Sequence, residues 1–250
     1  AVKLSEELIK ILPKGQNRIF FNDNGSTAVE AAIKMTLQYH FNRGEKRATF
    51  IAFEGRFHGD TFGAMSVSGL SVYNGPFEDF LMEVKRLPVP NGENEAAITA
   101  LLKSYTENYA IAGFIYEPLI QGAAGMKMYD ADGLNTILSF CKSNDIITIA
   151  DEVMTGFGKT GKNFASDHVE TKPDIICLSK ALTAGLLPMA ITSCTEEIYK
   201  AFLSHDIAKG FFHCHTYAAN PVACSAALAG IELLQTKEIQ KKIQEIENAH

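Results

Sequence analysis

Short apolar runs alternate with segments of helical spacing along most of this chain. The runs are continuous and rich in β-branched side chains, and they occupy residues 49–53, 113–116, 146–150, 175–178 and 189–192. Such runs are typical of strands that are buried on both faces of a parallel sheet. The polar flanks of each run contain the turn residues at which a strand ends.

Helical spacing with one polar face appears between these runs, at residues 93–109 and 132–144, and in the opening stretch AVKLSEELIK. Alternation of strands and helices predicts an α/β fold, in which helices cover both faces of a mainly parallel sheet in three α/β/α layers. No repeat or low-complexity linker interrupts the pattern. We therefore predict one domain over residues 1–250.

Chemically useful side chains follow several of the predicted strands. Asp151 comes directly after one run, Lys180 lies one residue beyond another, Glu117 follows a third, and Phe57-His58-Gly59 lies just beyond a fourth. Ligands bind beyond the carboxyl ends of the strands in sheets of this kind. We expect these residues to converge on one edge of the sheet.

A helix is predicted to begin near the stretch NGSTAVE, where Thr27-x-x-Glu30 matches a capping box. Gly25 and Ser26 would then place small side chains and free backbone amides at a helix N-terminus. That arrangement binds phosphate or another anion. A plain capped helix without a ligand is the alternative.

Composition narrows the possible functions. The chain is 46% hydrophobic and 21% charged, which is typical of a globular protein, and its net charge of -6 argues against a nucleic-acid partner. No run of about 18 apolar residues occurs, so we predict no membrane span. Five cysteines without a CxxC pair predict buried thiols in a reducing cytoplasm. His213-Cys214-His215 suggests a metal, but no second ligand cluster lies nearby in sequence, and we predict none.

The stretch DEVMTGFGKTG imitates two nucleotide-binding motifs. Gly156-x-Gly158-x-x-Gly161 fits the dinucleotide fingerprint, yet the residues after it lack the expected amphipathic helix and the next strand is followed by a lysine. A phosphate loop would need glycine at position 153, which is Val153. We expect these glycines to form a bend, with Gly156 and Gly158 in conformations that other residues disfavour.

Two interpretations of Lys180 and Asp151 remain open from the residues alone. They are either a solvated strand end and an ordinary cap, or the amine and carboxylate of a pyridoxal phosphate site. A nucleotide-binding domain using Asp151-Glu152 and Lys159 is a second function class. A third is a protein that keeps this fold for interaction only.

Five blocks, in this order, resemble the class III aminotransferases of fold type I, which depend on pyridoxal phosphate. They are NDNGSTAVEAAIKMTLQYHFNRGE, FIAFEGRFHGDTFGAMSVSG, YEPLIQGAAGMKMYD, IADEVMTGFGKTGKNFAS and PDIICLSKALTAG. The parts at residues 25–44 and 57–69 point to members of biotin biosynthesis. Members that act on ornithine, γ-aminobutyrate or ω-amino acids are the alternatives.

The resemblance implies a role for each matching residue. Lys180 would hold the cofactor as a Schiff base and move the proton, and Asp151 would pair with the pyridine nitrogen. Gly25 and Ser26 would bind the phosphate. The remaining residues implied to contact the cofactor are Phe57 and Val153 on opposite ring faces, together with His58, His215 and Thr216.

The resemblance also implies a homodimer that uses a small-molecule amino donor and a keto acceptor, with Thr216 contacting the cofactor of the partner subunit. Phe57 and Cys214 would border the substrate. Phe57 stands where the biotin-pathway members usually carry tyrosine, and Cys214 replaces a glycine. Family members extend further at both ends, so residues 1–250 are expected to be the cofactor-binding large domain without the N-terminal segment and the C-terminal small domain.

Overall fold

The computed structural model describes residues 1–69 and 74–249, which fold around a seven-stranded sheet. The strands are β1 Gln16–Asn22, β2 Thr49–Phe53, β3 Val84–Leu87, β4 Ile111–Tyr116, β5 Ile120–Gln121, β6 Lys127–Met128, β7 Ile147–Asp151, β8 Ile175–Leu178 and β9 Ala190–Thr195. The order across the large sheet is β1-β9-β8-β7-β4-β2-β3, while β5 and β6 form a separate hairpin. Strand β9 runs antiparallel to both of its neighbours, β1 and β8. The remaining six strands of the large sheet all point in one direction.

Helices cover both faces of the sheet and complete the three predicted layers. They are α1 Val2–Ile11, α2 Gly25–Asn42, α3 Phe62–Val67, α4 Glu95–Asn108, α5 Ala131–Ser143, α6 Glu196–Lys200, α7 Pro221–Leu234 and α8 Lys237–Ala249. Buried side chains of α2, α3 and α6 share one core cluster with the sheet. Those of α1, α4, α5 and α7 form the second cluster. The α/β three-layer prediction is confirmed.

All five predicted apolar runs are strands of the large sheet, and the other two strands of that sheet, β1 and β3, are additions that the pattern did not indicate. Strand β1 lies at one edge of the sheet and begins with polar residues, QNR. Strand β3 lies at the other edge, has the sequence VKRL and is only partly buried. Edge strands lack the continuous apolar character of central parallel strands, and this is why the pattern missed them.

The start of α2 corrects the predicted capping box. Asn24 is the N-cap, and its side chain accepts a hydrogen bond from the Thr27 amide at 3.0 Å. The Thr27 hydroxyl in turn accepts from the Asn24 amide at 3.2 Å. Glu30 contacts another helix instead, because its carboxylate accepts bonds from the amides of Gly63 and Ala64 at the start of α3.

Two further expectations concern cysteines and membranes. Cys141, Cys177, Cys194 and Cys224 are buried free thiols, as predicted, whereas Cys214 is exposed. Within residues 1–69 and 74–249, we find no helix with the length and apolar character needed to cross a membrane.

Candidate active site

A cavity of about 710 Å³ lies at the carboxyl ends of β1, β2, β4, β7 and β8. The predicted site residues that line it are Gly25, Ser26, Phe57, His58, Asp151, Val153 and Lys180. They come from distant parts of the sequence because parallel strands end at the same edge of a sheet. The expected convergence of the strand ends is therefore confirmed.

An anion-binding terminus forms one wall of the cavity. The 18-residue helix α2 begins at Gly25, and two residues separate it from the end of β1. The amides of Gly25 and Ser26 have no hydrogen-bond partner in the described part of the chain. A Cβ at Gly25 would come within 2.8 Å of Val153 Cγ1, so glycine allows this close approach. Free amides and the positive end of the helix dipole together favour a phosphate here.

The loop after β2 closes against this terminus. The Asp60 amide donates to Ser26 Oγ at 3.2 Å. Gly59 has a φ of +135°, and a Cβ there would lie 2.2 Å from the same Ser26 Oγ. The backbone of the loop therefore packs directly on Ser26, which leaves no space for a side chain at position 59.

Asp151 is a buried carboxylate with a defined orientation. Its Oδ2 lies 2.7 Å from His58 Nδ1, and its Oδ1 accepts from the Val153 amide at 3.1 Å. Both side chains are nearly inaccessible, with exposed fractions of 6% for Asp151 and 0% for His58. A carboxylate held in this way, in surroundings of low polarity, attracts a cationic N–H group more strongly than it would in water.

Glu117 is a second buried carboxylate at the cavity, and the sequence indicated it only as a strand end. It accepts hydrogen bonds from the amides of Phe57 at 3.3 Å and Gly122 at 2.9 Å. Burial raises the pKa of this carboxyl group. Glu117 thus joins the loop after β2 to the β5–β6 hairpin, and both border the cavity.

Lys180 lies on a short turn at the end of β8 and is exposed towards the cavity. Its side-chain amine has no hydrogen bond or ion pair with any described residue, so it is free to bind a carbonyl group. The turn itself is held by buried hydroxyls. Ser179 Oγ donates to the Met189 carbonyl at 2.9 Å, and Thr183 Oγ1 donates to the Leu187 carbonyl at 2.6 Å.

The residues predicted from the segment 213–216 do not line this cavity in their own chain. His215 Nδ1 lies 3.2 Å from Asp23 Oδ2, whereas His213 Nδ1 lies 3.1 Å from Lys34 Nζ. The two imidazole rings thus contact different partners. Thr216 and Cys214 are exposed, and the proposed contact of Thr216 with a partner subunit remains a prediction.

The glycines of DEVMTGFGKTG face protein. A Cβ at Gly158 would lie 2.7 Å from Ile243 Cδ1, and one at Gly161 would lie 2.6 Å from a Glu247 oxygen, both on α8. Gly158 has the predicted unusual conformation, with a φ of +97°. The prediction for Gly156 is wrong, since its φ is not positive. Gly156 is constrained by space instead, because a Cβ would lie 2.8 Å from Leu178 Cδ2.

Comparison with known proteins places these features in a family. A family model described as aminotransferase class III matches residues 1–249. Adenosylmethionine-8-amino-7-oxononanoate aminotransferase from Synechococcus elongatus is 46% identical over 100% of this chain and 60% of its own length. The chain thus spans about three fifths of that relative.

Two solved structures share the fold. The crystal structure of adenosylmethionine-8-amino-7-oxononanoate aminotransferase from Methanocaldococcus jannaschii superposes with a TM-score of 0.91 and is 40% identical, covering 98% of this chain and 57% of that one. An amine transaminase from an uncultivated Pseudomonas species, solved in a PLP-bound form, gives a TM-score of 0.86 at 32% identity. That match covers 95% of this chain and 57% of the other.

Proposed function

Because this chain belongs to the class III aminotransferase family, we propose that it binds pyridoxal phosphate and catalyses transamination. One observation carries the proposal: a single cavity joins an open helix N-terminus, a buried carboxylate and a lysine whose amine has no partner among the described residues. These are the three groups that a phosphate, a pyridine nitrogen and an aldehyde require. The PLP-bound form of the similar amine transaminase is further support.

The cavity residues fit this cofactor. The open amides of Gly25 and Ser26 would bind its phosphate, and the Lys180 amine would bind its carbonyl carbon. Asp151 would accept a hydrogen bond from its protonated ring nitrogen. Phe57 and Val153, which also line the cavity, would contact the ring faces.

Each of these residues has a separate task in the reaction. When bound, the cofactor supplies an electron-withdrawing ring that stabilises negative charge on the substrate carbon. Asp151 would keep the ring nitrogen protonated, since His58 and the Val153 amide fix the carboxylate. Lys180 would take the proton from the substrate carbon that bears the amino group and deliver it to the carbon that was the carbonyl carbon of the cofactor. Proton transfer by a positioned side chain typically contributes 10²–10⁴-fold in rate.

Absorbance and transamination test this assignment together. The wild-type protein mixed with pyridoxal phosphate should develop a visible absorption band, and borohydride should then bleach this band and leave the cofactor attached covalently to Lys180. Lys180→Ala should lose both the covalent product and turnover while it retains a folded circular dichroism spectrum. Normal turnover in Lys180→Ala, or no cofactor binding by the wild type, would overturn the proposal.

For the substrates, we propose transfer of an amino group from S-adenosylmethionine to 8-amino-7-oxononanoate, a step of biotin biosynthesis. Support comes from relatives of that name that are 46% and 40% identical to this chain. Two positions differ from the pattern expected for such enzymes, namely Phe57 and Cys214. Phe57 keeps an aromatic surface but has no hydroxyl group for a polar contact with the substrate.

Single half-reactions would decide the substrates. The cofactor-loaded protein is mixed with S-adenosylmethionine, lysine, ornithine, γ-aminobutyrate or β-alanine, and the loss of the visible band is followed. The protein whose cofactor now carries the amino group is then mixed with 8-amino-7-oxononanoate, and the return of the visible band is followed. Rapid reaction with ornithine or γ-aminobutyrate, and none with S-adenosylmethionine, would redirect the proposal to another member of the family.

We also propose that the active protein is a homodimer in which Thr216 contacts the cofactor phosphate of the partner subunit. Thr216 is exposed and does not line the cavity of its own chain, as this arrangement requires. Mixing Lys180→Ala with Thr216→Ala protomers tests the proposal. A heterodimer should then contain one intact site, so activity returns only if Thr216 acts across the interface.

A further inference from the structure

A buried chain of hydrogen bonds ties the first turn of α2 to the sheet. Thr192 on β9 is fully buried, and its hydroxyl donates to the Ala28 carbonyl at 2.8 Å. The same hydroxyl accepts from Asn22 Nδ2 at 3.0 Å, and Asn22 is the last residue of β1. The segment between Asn22 and Ala28 contains the two open amides, so this bond network holds both of its ends.

A second donor to the Ala28 carbonyl comes from the neighbouring strand. Cys177 Sγ on β8 lies 3.5 Å from that oxygen, and Cys177 is the register partner of Thr192 across the β8–β9 pair. Cys177 is also the register partner of Asp151 on β7. One row across the sheet therefore carries Asp151, Cys177 and Thr192, and two of these bind the same helix carbonyl.

We infer that Thr192 is a positioning residue which, together with Asn22, Cys177 and the Ala28 carbonyl, sets the distance between the phosphate-binding amides and Asp151. This inference rests on the proposed pyridoxal phosphate site. Register partners in adjacent strands lie about 5 Å apart, so the row fixes Asp151 relative to Thr192. The hydrogen bond to Ala28 then fixes the helix terminus relative to the row.

Alternative roles for Thr192 are limited by its surroundings. It does not line the cavity, so it touches neither cofactor nor substrate. The carbonyl of Ala28 lies inside a helix, where the backbone bond uses only one of its two lone pairs. The two extra donors, Thr192 and Cys177, therefore determine where α2 lies on the sheet. The helix propensity of the α2 residues does not determine that position.

Thr192→Val tests the inference, because valine keeps the shape and removes the hydroxyl group. Thr36→Val is the matched control: Thr36 lies on the same helix, is fully buried, and donates its hydroxyl to the Ala32 carbonyl at 2.9 Å. Both variants lose one buried hydrogen bond to a carbonyl of α2, and Thr192→Val also loses the bond that its hydroxyl accepts from Asn22. Only Thr192→Val loses bonds that join the segment leading into α2 to the sheet.

The measurement is the affinity of the cofactor-free protein for pyridoxal phosphate and for pyridoxal, which lacks the phosphate. We expect Thr192→Val to weaken pyridoxal phosphate binding about tenfold and pyridoxal binding less than twofold, so that the ratio of the two affinities falls. Thr192→Ser should restore the ratio. Thr36→Val should lower the melting temperature of the cofactor-free protein and leave the ratio unchanged.

The outcomes separate this inference from the proposed function. If the wild type binds pyridoxal phosphate normally and Thr192→Val and Thr36→Val have equal affinity ratios, the positioning role is wrong while the cofactor assignment stands. If the wild type shows no preference for pyridoxal phosphate over pyridoxal, the cofactor site itself fails. A reduced ratio in Thr192→Val that serine restores supports the inference.

Discussion

Replacing Gly59 with alanine perturbs the contact between the loop after β2 and the first turn of α2. Gly59 has a φ of +135°, a conformation that L side chains rarely adopt. An added Cβ would lie 2.2 Å from Ser26 Oγ and 2.9 Å from Ser26 Cα. A rotamer change can remove the first contact but not the second, so the backbone of one segment has to move.

The structure sets the size of the effect. Backbone strain at such a φ costs on the order of 1–3 kcal/mol, and overpacking adds about 1–3 kcal/mol. Allowing for partial relaxation, we expect the free energy of unfolding to fall by roughly 2–5 kcal/mol. Restoring an ordinary contact of ~3.5 Å to Ser26 Cα needs a displacement of roughly 0.6 Å, and we expect phosphate-dependent cofactor affinity to fall about tenfold.

Urea unfolding of the cofactor-free protein and titration with pyridoxal phosphate measure the two effects. Gly44→Ala and Gly92→Ala are controls for strain alone, since their φ values are +80° and +81° and an added Cβ meets nothing within 4 Å. We expect both controls to lose some stability and to bind the cofactor normally. The reasoning is refuted if Gly59→Ala matches the controls in stability and in affinity.

Three other predictions follow from buried ionisable groups. Asp151→Asn keeps the contact with His58 but removes the negative charge, so the transamination rate should fall about 100-fold. Rapid-mixing absorbance measures this rate, and an unchanged rate would contradict the proposed role of Asp151. Glu152→Gln places an NH₂ group opposite the amide of Ala165 or Ser166, and urea unfolding should show a loss of about 2–4 kcal/mol. Burial raises the pKa of Glu152, so the folded state binds its proton more tightly, and the stability of the wild type relative to Glu152→Gln should rise as pH falls towards 4.5. Burial lowers the pKa of His40, so the unfolded chain is protonated first; stability should fall as pH drops below 6.5, and urea titrations should show a flatter profile for His40→Gln.

The central strands and the convergence of the site could be predicted because both depend on local patterns. A strand buried on two faces needs a continuous apolar run, and the residue after the run necessarily lies at the edge of the sheet. Asp151 and Lys180 were found in this way. Strand β1 could not be found, although α2 follows it directly, because an edge strand tolerates the polar residues of QNR.

The start of α2 and the loop after β7 show where local patterns fail. Both Asn24 and Thr27 are good cap residues, and the choice between them depends on Glu30, whose carboxylate binds the amides at the start of α3. The sequence indicated Glu152 only as part of the alternative nucleotide-binding site. It proves to be fully buried because it binds amides 13 and 14 residues later, which hold the glycine-containing loop.

The antiparallel strand β9 illustrates which properties of this site the sequence predicts and which it does not. Chemistry at a strand end follows from the residue itself, so Lys180 is recognisable wherever the strand lies. The spacing between groups depends on contacts such as that of Asn22 with Thr192, which are 170 residues apart. Strand β9 contributes nothing to the lining of the cavity, yet it lies between β1, which leads into α2, and β8, which leads into Lys180. We therefore expect a substitution on β9 to alter cofactor binding without touching the cofactor, an expectation that depends on the strand order and not on any local sequence pattern.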